Sequence, residues 1–212
     1  MAADGTYRVR VGSQELELPL VPIADDLTIA LLISVDHGIA FAERAGRELA
    51  EELTPFGAEV VVSVATMGIP LAIEVTRALG LDDYVILHKT PKIHLADAVA
   101  EPVRSITTAA PQRLLFDRAR LPAVAGRRVA VVDDVISTGG SMHAALNLLR
   151  RVGAEPVVVG SLVTEGSGWR GVLGPDAALV RALGAIPMFT PGPDGTLVED
   201  WGPGPEPPPG EI

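Results

Sequence analysis

Residues 129–142 read Val-Ala-Val-Val-Asp-Asp-Val-Ile-Ser-Thr-Gly-Gly-Ser-Met, and this order constrains the chain more than any other stretch. A short apolar run delivers two adjacent carboxylates, Asp133 and Asp134. Val135 and Ile136 follow, then a loop of hydroxyls and glycines, Ser137, Thr138, Gly139, Gly140 and Ser141, before the pattern turns helical. Continuous β-branched runs suit parallel strands buried on both faces. Such a strand, ending in acids and passing through a glycine-rich turn into a helix, sets partners for sugar hydroxyls beside a phosphate cradle. The first-turn N–H groups and the dipole of the helix attract the anion. An Asp pair also occurs in caps and solvated turns, but Arg128-Val129-Ala130-Val131-Val132 is a strand with little reason to carry charge except at a site. No Gly-Lys-Ser/Thr follows the glycines, so the loop is not the one that binds nucleoside triphosphates.

The rest of the chain repeats strand and helix. Glu59–Val64 reads as a buried strand, Ile69–Leu79 as a helix closed by Gly80, and Tyr84–His88 as the next strand. Arg128–Val132 and Pro156–Val163 are strands flanking a helix over Ser141–Val152. This alternation predicts an α/β fold with a mainly parallel twisted sheet flanked by helices, its site outside the carboxyl ends of the strands. Tyr7–Val11 and Glu15–Leu20 form an expected hairpin. Asp26–Leu53 reads as helical, with Ile39, Ala42, Gly46, Leu49 and Leu53 on one stripe and Gly38 a candidate break. Lys89–Phe116 interrupts the rhythm, with a hairpin expected between Arg104–Thr108 and Gln112–Phe116. From Pro191 onward proline, glycine and acids dominate, the composition of a tail in solvent.

A formal net charge of −10 argues against nucleic acid as a partner, which needs a basic face to displace counterions. There is no cysteine, so neither a thiolate nucleophile nor a disulfide is available. No apolar run reaches the length of a membrane span, and the polar N-terminus does not read as a signal peptide. The default expectation is a cytoplasmic protein with no membrane partner. His37, His88, His94 and His143 show no metal-ligand spacing.

Two further segments fit a phosphate-handling site. Ser63-Val64-Ala65-Thr66-Met67-Gly68-Ile69-Pro70 takes a strand into a helix through small residues, with Gly68 allowing close backbone approach and Pro70 suited to a first helical turn. His88-Lys89-Thr90-Pro91-Lys92 ends the next strand with two cations.

Together these residues resemble the type I phosphoribosyltransferases. The match runs from about Ala30 to Phe189, and Val129–Met142 falls on the family motif for PRPP (5-phosphoribosyl-1-pyrophosphate). The arrangement is similar to purine phosphoribosyltransferases of the xanthine and adenine kind and to their PRPP-binding regulators. The resemblance implies a domain over residues 1–190 with a small hood from about 1–55 plus 164–190, a tail over 191–212, and a homodimer. It implies transfer of the phosphoribosyl group from PRPP to a purine-like base with release of pyrophosphate and help from Mg²⁺. Asp133 and Asp134 would hold the ribose and reach the metal, and residues Val135 to Ser141 the 5-phosphate. Ala65, Thr66, Met67 and Gly68 would bind pyrophosphate, around a non-proline cis bond at Ala65–Thr66 or Thr66–Met67, with Lys89 and Lys92 neutralising it. A flexible loop would carry Ser105 and Thr107. Asp36, His37, Glu165 and Trp169 would surround the base, Trp169 either stacking on it or simply packing against the insertion. Asp36 stands where relatives carry asparagine; it either meets N–H donors of the base or caps a helix. Met67 replaces a common cation, and Gly166 follows Glu165 where many 6-oxopurine enzymes place lysine. No general base is identifiable. A catalytically silent PRPP sensor and an orotate-type pyrimidine enzyme are the alternative readings.

Overall fold

The computed structural model describes residues 5–91, 97–103, 112–194 and 196–203. Lys92, His94, Ser105, Thr107, the strand expected at Arg104–Thr108 and the end of the tail lie outside the described residues.

The chain begins with three antiparallel strands, β1 (Thr6–Val11), β2 (Gln14–Ala24) and β3 (Leu27–Ala30), then a 3-10 turn over Ser34–His37 and helix α1 (Gly38–Leu53). β4 (Val60–Val64), α2 (Gly68–Ala78) and β5 (Tyr84–Leu87) follow, then a hairpin of β6 (Val99–Val103) with β7 (Gln112–Phe116) and a one-turn helix α3 (Leu121–Val124). β8 (Arg128–Ile136), α4 (Gly140–Arg151), β9 (Glu155–Glu165), α5 (Trp169–Leu173) and β10 (Val180–Ile186) lead to β11 (Met188–Pro191) and β12 (Leu197–Asp200).

Five strands form a parallel sheet in the order β10-β9-β8-β4-β5. The chain order reverses between β4 and β8, and at such a switch point the connections leave to opposite faces and open a crevice. One face of the sheet packs against α1 and α2 around Leu49, Leu71 and Val132; the other packs against α4 and the β6–β7 hairpin around Phe116, Val131 and Leu146. All five residues of β4 are buried, which is why its sequence is valine-rich instead of alternating. A second sheet, β1-β2-β3-β11-β12, is antiparallel and draws strands from both ends of the chain.

Several expectations change. Asp26–Ala30 is not helical: Leu27–Ala30 pairs with β2 on one side, and Thr28 and Ile29 pair with β11 on the other. Strand pairing overrides the local periodicity there. Ile39 is 82% exposed, and the buried face of α1 runs through Phe41, Ala45, Gly46, Leu49, Ala50 and Leu53. The hairpin partner of β7 is Val99–Val103. It docks on the core sheet through His88, whose N–H donates to Leu115 O at 3.0 Å while the Leu115 N–H donates to His88 O at 2.8 Å. Within the expected tail, Leu197–Asp200 pairs with β11.

Gly46 lets α1 cross α2 closely: a Cβ placed there would lie 2.4 Å from Glu74 Cβ and 3.0 Å from the Glu74 carbonyl carbon. Gly46→Ala should therefore lower unfolding free energy by about 1–3 kcal/mol. This is opposite in sign to the helix-propensity gain of about 1 kcal/mol expected at an open position. Urea denaturation measures it, and a variant at least as stable as the parent would show that the two helices separate easily.

Candidate functional site

β8 pairs with β4 only as far as Val132, opposite Ser63, but with β9 as far as Ile136, opposite Thr164. Beyond Val132 the strand thus has a ladder partner on one side only. Asp133 and Asp134 stand at that step. They were expected just past the end of the strand; the ladder with β9 instead carries the strand through them.

Three segments converge here. Residues 64–67 come from the turn between β4 and α2, Lys89 from the end of β5, and residues 133–139 from β8 and the loop into α4; together with Ser141 and Met142 they line one cleft. Gly68 opens α2 beside this cleft, and a Cβ there would lie 2.6 Å from Asp133 Oδ1. Only glycine allows that approach. Gly139 adopts φ 80°, a left-handed conformation, at the N-cap of α4. A Cβ on it would also meet the Trp169 carbonyl oxygen at 3.1 Å. The Gly140 N–H donates to Thr138 Oγ1 at 3.4 Å, and α4 presents the unpaired N–H groups of a helix start toward the loop.

The charges in the cleft are perturbed by burial. Asp133 is pushed up to about 8, first by desolvation and then by the adjacent charge of Asp134, against the opposing pull of Lys89. Asp134 is raised as well, mainly by burial, while backbone N–H groups and Lys89 oppose. Asp133 Oδ1 accepts the Asp134 N–H at 3.1 Å. Glu165, 7% exposed at the end of β9, is raised by burial, and the Ser137 hydroxyl hydrogen-bonded to its carboxylate opposes this. Glu165 does not itself line the cleft, and reaches it through Ser137, which does.

The base-side expectations fare unevenly. Trp169 is a correction: it is 2% exposed, packs in the core against the α4 face of the sheet, and donates its indole N–H to Gly166 O at 3.1 Å. Apolar burial with a single satisfied N–H makes it a structural side chain. Asp36 is exposed in the 3-10 turn and caps no helix, since His37 is the N-cap of α1 and no side chain caps there. His37 contacts the Phe41 ring at 5.2 Å between centroids. Neither residue lines the cleft, but their turn is joined to it by Ser34, whose hydroxyl donates to Met67 O at 3.2 Å. Ser34 and Ser63 were not singled out from sequence. For Ser63 a signal existed, a lone hydroxyl inside Val-Val-Val-Ser-Val.

The family description "Phosphoribosyl transferase domain" matches residues 37–179. The chain belongs to this phosphoribosyltransferase family. It is 30% identical over 128 residues to an orotate phosphoribosyltransferase of Caldanaerobacter subterraneus subsp. tengcongensis, covering 60% of this chain and 56% of that one. It is 37% identical over 117 residues to a transcriptional regulator of Methanosarcina barkeri, covering 54% and 50%. The chain thus spans about half the length of these curated relatives. An adenine phosphoribosyltransferase structure from Thermoanaerobacter pseudethanolicus superposes with a TM-score of 0.64 at 16% identity, over 80% of this chain and 95% of that chain. The fold is accordingly that of the type I phosphoribosyltransferases. The Ala65–Thr66 peptide is cis, one of the two bonds at which the family resemblance put it.

Two outcomes follow for this member of the family. Between pH 3.8 and about 8 folded Asp133 keeps a proton that the unfolded chain has lost. Stability must therefore fall as pH rises through that window. The ligand-free protein should lose more melting temperature between about pH 5 and about pH 9 than Asp133→Asn does; equal slopes would place the carboxyl in an ordinary solvated setting. Trp169→Ala should cost about 3–5 kcal/mol of stability in chemical denaturation, as a buried aromatic does.

Proposed function

We propose that the chain transfers the 5-phosphoribosyl group of PRPP to a purine or purine-like base, releasing pyrophosphate. The observation that carries this reading is the meeting, at one strand-order reversal, of an acidic pair, a hydroxyl-and-glycine loop opening a helix, and the small-residue turn at Thr66–Gly68. Asp133 and Asp134 take the ribose hydroxyls. The 5-phosphate sits on backbone N–H groups of Ile136 to Ser141 with the Thr138 and Ser141 hydroxyls, while Ser137 supports the loop through Glu165. Pyrophosphate lies along Ala65–Gly68, with Lys89 and Lys92 neutralising it. Asp36, His37 and Glu165 are the residues assigned to the base side.

Among the described residues no three His, Asp or Glu side chains gather into a metal cage. Mg²⁺ does not need one: it is held by one or two carboxylates together with phosphate oxygens and water. Asp133 and Asp134, side by side and facing the proposed ligand, fit that donor set. The ion would supply charge neutralisation of the leaving pyrophosphate. The protein's own share is positioning, anion binding by main-chain amides, and burial of two carboxylates where positive charge develops on the ribosyl ring.

The likeness to a transcriptional regulator supports a second reading, PRPP binding without transfer. A homodimer is the proposed assembly.

Calorimetry with PRPP and Mg²⁺, followed by pyrophosphate release against a panel of purine and pyrimidine bases, tests all of this. The expectation is magnesium-dependent PRPP binding and turnover with a neutral purine. Tight binding with no turnover on any base would favour the sensor, and absence of PRPP binding would remove both readings.

A further inference from the structure

Ser63 is the fourth residue of the fully buried strand β4 and is 0% exposed. Its Oγ has no hydrogen-bond partner among the described residues. Other buried hydroxyls are satisfied: Thr76 Oγ1 donates to Ala72 O at 2.6 Å and Ser161 Oγ to Val163 O at 2.7 Å. An orphaned hydroxyl in a dry strand is a liability that valine or alanine would avoid.

Its surroundings suggest what the hydroxyl is for. A Cβ on Gly68 would lie 2.3 Å from Ser63 Oγ and 2.6 Å from Asp133 Oδ1. The two oxygens therefore flank one small volume, kept open because residue 68 has no side chain. Ser63 pairs in the ladder with Val132, the residue before Asp133, so β4 brings the hydroxyl to the step where β8 leaves its neighbour. Around Asp133 the charged groups are Asp134 on its own strand and Lys89 at the end of β5. From β4 and α2, the Ser63 hydroxyl and the bare Gly68 backbone approach that carboxylate.

We infer that Ser63 is a positioning residue for the ribose-binding carboxylate, its hydroxyl turning beneath Gly68 to donate to Asp133 when the cleft holds a sugar phosphate. This rests on the PRPP reading above. A serine hydroxyl has three staggered settings and a freely rotating proton, so the move needs no backbone change. An unpaired hydroxyl in the free protein that becomes paired in the complex gives the ligand a differential interaction with the two states. The bond fixes one Asp133 oxygen and leaves the other to the ribose hydroxyls. A lone apolar substitution should then improve the free protein while harming the complex, which a merely structural serine would not do.

The test compares the parent with Ser63→Ala, using ribose 5-phosphate and inorganic pyrophosphate as calorimetric probes and thermal unfolding of the free protein as a control. The free variant should melt at the same or a higher temperature. Its affinity for ribose 5-phosphate should fall about five- to tenfold, as for loss of one ordinary hydrogen bond, with pyrophosphate affinity unchanged. Equal ribose 5-phosphate affinity in the two proteins overturns the role of Ser63 and leaves the proposed function standing. A clearly less stable variant also overturns it, marking the hydroxyl as structural. If the parent binds neither ribose 5-phosphate nor PRPP, both inferences fall together.

Discussion

The unequal lengths of β4 and β8 create the place where this protein can hold a ligand. Up to Val132 the central strand has hydrogen-bonded neighbours on both sides; from Asp133 to Ile136 it has β9 alone. A strand held on one edge is rigid enough to aim side chains, and its free edge leaves the room that a ligand and the β4–α2 turn share. Close approach of that turn depends on Gly68, and the shape of the opposite wall on Gly139 lying against Trp169. The cleft is therefore a property of backbone fit before it is a property of any functional group.

Its electrostatics have an unusual balance. The chain is acidic overall, and burial keeps the carboxyls of Asp133, Asp134 and Glu165 reluctant to ionise. In the proposed function, an anionic ligand in such surroundings is held by oriented amides and a helix start, which carry partial positive charge. Lys89, exposed at the end of β5, acts on both aspartates from the cleft's edge. In the proposed function, the arrangement separates gripping phosphate from facing a sugar.

Much of this was legible in the residues. Val129–Met142 announced a buried strand, its acids and a glycine-containing loop into a helix, and the turn at Ala65–Gly68 was recognisable from its small residues and Pro70. What escaped were features decided by partners far away in sequence. Leu27–Ala30 carries no strong strand signal, and its pairing with residues 188–189 made it one. Ile39 fits a helical stripe, yet the sheet lies one face round and leaves it outside. Trp169 sits in a glycine-rich loop that suggests exposure, whereas its ring fills the core beneath α4. The importance of Ser34 and Ser63 depends on which atoms they meet, Met67 O and the space under Gly68, and no local pattern encodes such meetings.

The antiparallel sheet joins residues 6–30 to residues 188–200 through the β3–β11 pairing. Contacts of such separation are slow to form because a long loop must close first. During synthesis, the parallel layer through β10 can assemble while β3 still waits with one unpaired edge, and the emerging chain carries that sticky margin until residues 188–189 are free to pair with it.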